Sequence, residues 1–237
     1  MLHIFRNMFR RKGRTFLTIF GIVIGIYALT VMGGMAEKMN QLISGGRNYY
    51  QNQISILPKG GFGMGLLPYS KIEEIKKIKG VRLVREEIML SLSDDSHMSF
   101  GMPEMIMGLK TEQFQDNDMG VKMTFLDGNW WEEKERSKVV LGSDLVNKFK
   151  VEVGDKVTIQ KKEFEMVGLL DKTTTAPDKI AFINIADARD LLIANSPFLK
   201  TLGDQELLTE ASVLGEEGVD MEKLAQRIEK KVKDIEV

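Results

Sequence analysis

The sequence predicts an α+β fold carried on one N-terminal transmembrane helix, with a small β-rich part inserted into an α+β layer outside the membrane. Three observations predict it. Thr15–Met35 is about 21 residues without a charge, long enough to cross the hydrocarbon core of a bilayer as one helix. A strand–helix–strand pattern follows this anchor, and a similar one closes the chain. Between them, short alternating runs are separated by turn residues.

Arg6, Arg10, Arg11, Lys12 and Arg14 precede the anchor with no acidic residue among them. Such an excess of basic residues stays on the cytoplasmic side, which puts the N-terminus inside and everything after Glu37 outside. No later stretch approaches the roughly eighteen apolar residues of a second crossing. A cleaved signal peptide also begins with basic and then apolar residues, but its apolar core is only about 7–15 residues long. Gly33-Gly34-Met35-Ala36-Glu37 is also a weak cleavage site, so an uncleaved anchor in the inner (cytoplasmic) membrane is expected. Leu2, Phe5, Met8 and Phe9 recur at helical spacing, which predicts a cytoplasmic amphipathic segment over 1–14 with Phe5 and Phe9 against lipid or a partner. Within the crossing, Gly21 and Gly25 form a small-xxx-small pattern that lets another membrane helix approach, although glycine is also simply common in membrane helices.

Of the 237 residues, those beyond the anchor suffice for one large domain or two small ones with a hydrophobic core. The absence of cysteine excludes disulfides, thiol catalysis and thiolate metal sites. Five of the 33 basic residues and none of the 34 acidic ones fall in the first 35, leaving 28 basic against 34 acidic beyond them. Phosphate binding needs a basic face, so the outer part is not expected to bind nucleic acid.

Ile54, Ile56 and Leu57 predict a strand ending at Pro58, followed by a glycine-rich run to Pro68. This run lacks the Gly-Lys-Ser/Thr ending of a P-loop, so a flexible loop showing Phe62, Met64, Leu66 and Leu67 to lipid or a partner is expected instead. Ser70 and Glu73 have the spacing of a capping box, and Ile72, Ile75 and Ile78 predict the buried stripe of the helix behind it. Glu73 and Lys77 can pair on its outer face, and Gly80 ends it before a strand over Val81–Val84. At the other end, Ala211–Leu214 reads as a strand. Asp220 caps a helix that buries Leu224, Ala225, Ile228 and Val232, and Ile235–Val237 begins another strand. In the middle, Val139–Leu141 predicts a strand, and Ser143–Phe149 a helix with Leu145, Val146 and Phe149 inward. A hairpin follows the Gly154-Asp155 turn, with Val157 and Ile159 on one strand, a turn at Lys161-Lys162, and Phe164, Met166 and Val167 returning.

Candidate chemistry is sparse. A Ser-His-Asp hydrolase would have to use His97, because His3 is cytoplasmic, and no nucleophile motif surrounds it. Met98, Met102, Met105 and Met107 with His97 form a candidate thioether site for monovalent copper, against which stands the use of methionine to fill irregular cores. Trp130 and Trp131 would point to opposite faces of a strand, one into the core and one to a partner or the membrane interface.

Val140-Leu141-Gly142-Ser143-Asp144-Leu145, then Val151 to Ile159, then Phe164 to Leu170, resemble in order and spacing the extracytoplasmic core of MacB/FtsX-like (type VII) ABC transporter permeases. Leu126-Asp127-Gly128-Asn129-Trp130 and Arg10–Thr15 leading into Gly21–Gly25 extend the resemblance over nearly the whole chain, with Asn129 where the family often carries arginine. The resemblance implies a porter-like α+β part over 36–90 and 171–237 and a β-rich insert over 91–170. It further implies a separate cytoplasmic ABC ATPase subunit, a second permease copy forming a homodimer, and in some systems an extracytoplasmic adaptor. The role it implies is mechanotransmission for efflux, lipoprotein or peptide export, or envelope signalling, without enzymatic activity or cofactor in this chain. The family's three later membrane helices do not follow in this sequence, which predicts a shortened chain or else a split subunit. The competing expectation is a single-pass sensor or cargo-binding module that needs no ATPase.

Overall fold

The structure, a computed structural model, describes residues 12–50, 53–60, 65–92, 103–113, 123–196, 199 and 207–237. It divides into two compact units, 1–44 and 45–237. Helix α1 (Lys12–Tyr50) has 39 residues, about 58 Å at 1.5 Å per residue. Within its segment Gly13–Asn40 an 18-residue window reaches a mean hydropathy of 2.2 and is not buried, and Phe16, Leu17, Ile22, Ile26, Leu29 and Met32 are all exposed. A helix that is apolar all round and uncovered is suited to lipid. The Thr18 and Thr30 hydroxyls donate to the carbonyls of Arg14 and Ile26, both at 2.9 Å, which satisfies them without water. The expected crossing at 15–35 lies within this helix; Phe5, Phe9 and the rest of the expected amphipathic segment up to residue 11 lie outside the described residues.

In chain order the second unit runs β1 (Gln53–Pro58), β2 (Leu67–Pro68), α2 (Tyr69–Lys76), β3 (Val81–Ser91), β4 (Met105–Leu109), β5 (Phe125–Gly128) and β6 (Lys138–Leu141). It continues with α3 (Ser143–Phe149), β7 (Lys156–Ile159), β8 (Lys162–Leu170), β9 (Ile180–Asn184), α4 (Ile185–Asn195), β10 (Leu207–Leu208), β11 (Glu210–Gly215), α5 (Met221–Lys231) and β12 (Ile235–Glu236). Ten strands form one mixed sheet in the order β12-β1-β11-β3-β4-β9-β6-β8-β5, with β7 also paired to β8. The two strand–helix–strand units read from the sequence interleave antiparallel, β1 lying between β12 and β11 and β3 beyond β11.

Strand β3 carries the sheet from one half to the other. Val81–Glu87 pair with β11, and Ile88–Ser91 pair with β4. Beyond it, β9 is parallel to β4 and antiparallel to β6. One sheet thus holds strands from 36–90, 91–170 and 171–237, with β8 ending at Leu170 and β9 between β4 and β6.

Side chains alternate between the faces as a pleated strand requires. Ile106, Val139, Leu141, Ala181 and Ile183 join Ile72, Ile75, Leu191, Leu224 and Ile228 in a core covered by helices. On the opposite face Met105, Met107, Leu109, Val140, Ile180 and Phe182 form a second core with Trp131. Gly108 permits the closest approach between layers, since a Cβ there would lie 2.2 Å from the Ala188 Cβ on α4 and 3.3 Å from the Ile185 Cα. Gly142 does the same before α3, where a Cβ would meet the Pro177 carbonyl oxygen at 2.0 Å.

Several local expectations are corrected. Leu67 is fully buried in β2, paired with β10, and Leu66 packs on the core, so neither is displayed; Phe62 and Met64 lie outside the described residues. Helix α2 starts one residue before Ser70, with Pro68 as its N-cap and no side-chain cap, so no capping box forms. Glu73 pairs with Lys76 at 2.9 Å rather than with Lys77. The β7–β8 turn falls at Gln160-Lys161, both with positive φ (46° and 67°), one residue earlier than expected, as the twist of a two-residue hairpin demands. Asp220 does cap α5, accepting from the Lys223 amide at 3.2 Å. Replacing Gly108 by alanine is expected to cost about 1–3 kcal/mol by overpacking, read as a lower urea midpoint with unchanged m-value.

Candidate functional site

The residues Arg85-Glu86-Glu87 form three consecutive charges in the middle of β3, and all three are at most 3% exposed. Alternation divides them. Glu86 faces the helices, where its carboxylate accepts from Lys110 Nζ at 2.7 Å and lies 3.5 Å from Lys76 Nζ. Arg85 and Glu87 face the other way, among Gln53 and Ser55 of β1 and Glu210 and Ser212 of β11. The register sets Ser212 beside both Ser55 and Arg85, and Glu210 directly opposite Glu87. Arg85 donates through Nη2 to the Gln53 side-chain oxygen, its Nε lies 3.9 Å from a Glu87 oxygen, and the Ser55 hydroxyl donates to the Glu210 carboxylate. Burial pushes the Glu87 carboxyl above the ordinary range, with Arg85 opposing. Burial, and then repulsion from Glu87, raise that of Glu210 to about 7, against the Ser55 hydrogen bond.

Another buried carboxylate, Asp187, stands in the first turn of α4. It accepts from the Ser137 amide at 2.7 Å, Arg136 Nε at 3.0 Å and Lys162 Nζ at 2.8 Å. Asn184 caps the same helix, accepting from the Ala186 amide, while its Nδ2 donates to the carbonyls of Glu133 at 2.9 Å and Glu135 at 3.1 Å. The Glu133 carboxylate in turn accepts from the Thr111 amide and hydroxyl. The segment between β5 and β6 is thus pinned in place without regular structure.

That segment carries Trp130 and Trp131, which do not sit on a strand. Both pack into the second core: Trp131 is buried, and half-buried Trp130 makes edge-to-face contacts of 5.3–5.6 Å with Phe125, Trp131 and Phe182. The expectation of opposite faces is corrected, because the loop turns both rings inward. Met105 and Met107 are core residues of β4; His97, Met98 and Met102 lie outside the described residues. Gly21 and Gly25 lie on α1 with nothing within 4 Å of where a Cβ would stand. The sequence reading missed the Arg85–Glu87–Glu210 cluster and Asp187. Its one usable signal was a charged triplet directly following Val81–Val84.

A family model for the MacB-like periplasmic core domain matches residues 15–231. The chain belongs to that family. An uncharacterized ABC transporter permease of Methanocaldococcus jannaschii is 26% identical over 251 residues, covering 97% of this chain and 57% of that relative, so the MacB-like chain spans little more than half its length. Among solved structures, the periplasmic region of MacB from Actinobacillus actinomycetemcomitans superposes with a TM-score of 0.51 at 17% identity, over 80% of this chain and 89% of that one. The extracellular domain of the ABC-type transporter YknZ from Gram-positive bacteria does so with a TM-score of 0.51 at 14% identity, over 78% and 99%. These likenesses show the fold. The MacB-like chain carries an ABC transporter permease-like periplasmic core domain, preceded by one helix long and apolar enough to cross a membrane.

Replacing Asp187 by alanine leaves the Ser137 amide, Arg136 and Lys162 without their shared acceptor and is expected to cost about 3 kcal/mol in urea unfolding. Asp190, a neighbouring acceptor for the same two cations with a 58% exposed side chain, serves as the control, at under about 1 kcal/mol.

Proposed function

We propose that this chain is the anchor and outer domain of an ABC transporter permease, driven by a separate cytoplasmic ATPase subunit and paired with a second permease copy. Its role is to carry motion across the membrane to a domain that handles cargo outside. The observation that supports this beyond family membership is the unbroken run of α1 from Lys12 to Tyr50, because it leaves the apolar segment and stays helical until two residues before β1. A continuous helix transmits displacement and torque where a flexible linker would absorb them. The basic residues before Thr15 favour a cytoplasmic N-terminus, within reach of such an ATPase.

In this reading Gly21 and Gly25 face another membrane helix, and Phe5 and Phe9 lie at the lipid or ATPase boundary. Efflux, lipoprotein or peptide export and envelope signalling share this mechanics, with or without an extracytoplasmic adaptor.

Isolation of the native protein from its own membrane is expected to recover an ABC ATPase and a second copy. ATP binding is then expected to shift spin-label distances between the outer domains, and a Gly-Ser insertion in residues 37–44 to remove that shift while hydrolysis continues. Recovery without any ATPase would instead support a single-pass sensor. Substituting isoleucine for both Gly21 and Gly25 is expected to weaken copy–copy association in lipid roughly tenfold, about 1.4 kcal/mol, read by energy transfer between labelled copies.

A further inference from the structure

Glu87 and Glu210 sit opposite one another at the position where the sheet changes partners. Glu210 is the first residue of β11, Glu87 is its partner on β3, and the next residue of β3, Ile88, already pairs with β4. The ladder is patched here by a side chain: the Thr209 hydroxyl accepts from the Met89 amide at 2.7 Å, and the Thr209 amide donates to the Glu87 carbonyl at 3.3 Å. Both carboxylates are nearly closed to water, at 3% and 6% exposure. Among the described residues, the groups sharing the pair's face are Gln53 and Ser55 from β1, Arg85 from β3 and Ser212 from β11, with Glu86 turned to the opposite face. Arg85 thus supplies one positive charge against two carboxylates, and Ser55 supplies a neutral donor to Glu210. Two adjacent buried carboxylates with one cation beside Glu87 alone are best accommodated with a single proton on the pair.

We propose that Glu87 and Glu210 form a one-proton site at the joint of the sheet, so that the outer domain responds to the pH of its compartment by tightening or loosening β3 against β11. The inference stands independently of transport. The direction follows from linkage. A carboxyl raised to about 7 in the folded chain binds a proton that the unfolded chain, at an ordinary value, has already lost. Stability is therefore highest below the unfolded value, falls as pH rises toward about 7, and levels off above it.

The test is thermal unfolding of the full chain in detergent micelles from about pH 5 to about pH 8. Relative to Glu210→Gln, which cannot take up the charge, the wild-type chain should lose roughly 5–10 °C more across that range. In Glu87→Gln the titration should move to lower pH, because the like charge is gone, an effect that a merely structural residue would not produce. Identical pH profiles for wild type and Glu210→Gln would overturn the proposal. Should the variants fail to fold, the wild-type infrared spectrum decides: a protonated-carboxyl band present at about pH 6 and lost by about pH 8 supports the site, and its absence at about pH 6 overturns it.

Discussion

Strand β3 is the constraint on which the outer domain depends. Its first seven residues pair with β11 and its last four with β4, so this one strand joins the layer built from both chain ends to the sheet built from the middle. A shift of one residue would turn Arg85 and Glu87 into the helix-covered core and Val84 and Ile88 out of it. Each unpaired buried charge costs several kcal/mol, so the register is held by the charges as firmly as by the apolar residues. Glu86 needs the helix side, where Lys110 and Lys76 wait, and its neighbours need the side that carries Gln53, Ser55 and Glu210.

The same logic recurs elsewhere in the domain. The chain has no cysteine, so no covalent cross-link holds loops that carry no ladder of their own. Buried carboxylates and amides do this instead. Asp187 and Asn184 gather the segment before β6 onto the start of α4, and Glu133 ties that segment to the turn after β4. Asp178 closes the loop before β9 by accepting from the amides of Thr173 and Thr174 and the hydroxyl of Thr173. Gly142 then fits against Pro177 and Asp178, which gives the Leu-Gly-Ser-Asp motif a packing reason. Each contact joins segments that are irregular on their own, and each leaves an uncompensated donor if its acceptor is removed.

Elements whose local pattern matches their final burial were legible in the sequence. Helix α3, α5 with its Asp220 cap and β11 fall where periodicity and capping residues place them, because one apolar face or one cap decides each, and the β7–β8 hairpin is displaced by only one residue at its turn. Legibility failed where tertiary contacts override the local pattern. The charged triplet hid the last seven residues of β3, since the groups that make charge tolerable there lie on other elements: Gln53 and Lys110 at 32 and 24 residues' separation, and β11 more than 120 residues away. Leu67 sits in a run rich in glycine, and only β10 explains its burial. The tryptophans read as a strand pair because nothing nearby announces the Asn184 and Asp187 contacts that bend their segment inward. The candidate proton pair was invisible for the same reason: Glu87 and Glu210 become neighbours only through the β3–β11 register.

A sheet is stiff along its hydrogen-bonded ladders and weakest where a strand changes neighbours, because there the ladder bonds on one edge end before those on the other begin. In this domain that place is Glu87–Ile88, and Thr209 bridges it with a side chain instead of a continuing strand. A displacement entering at β1 passes through β11 to β3 as a ladder; within the sheet it reaches β4 through this joint, while α4, packed on both β3 and β4, and the Glu86–Lys110 pair connect the two sides across the helix-covered face. The strength of the joint therefore contributes to whether the two halves of the sheet move as one body or yield to each other. Two buried carboxylates at that point make the strength depend on charge, whereas an apolar pair would have fixed it at a single value.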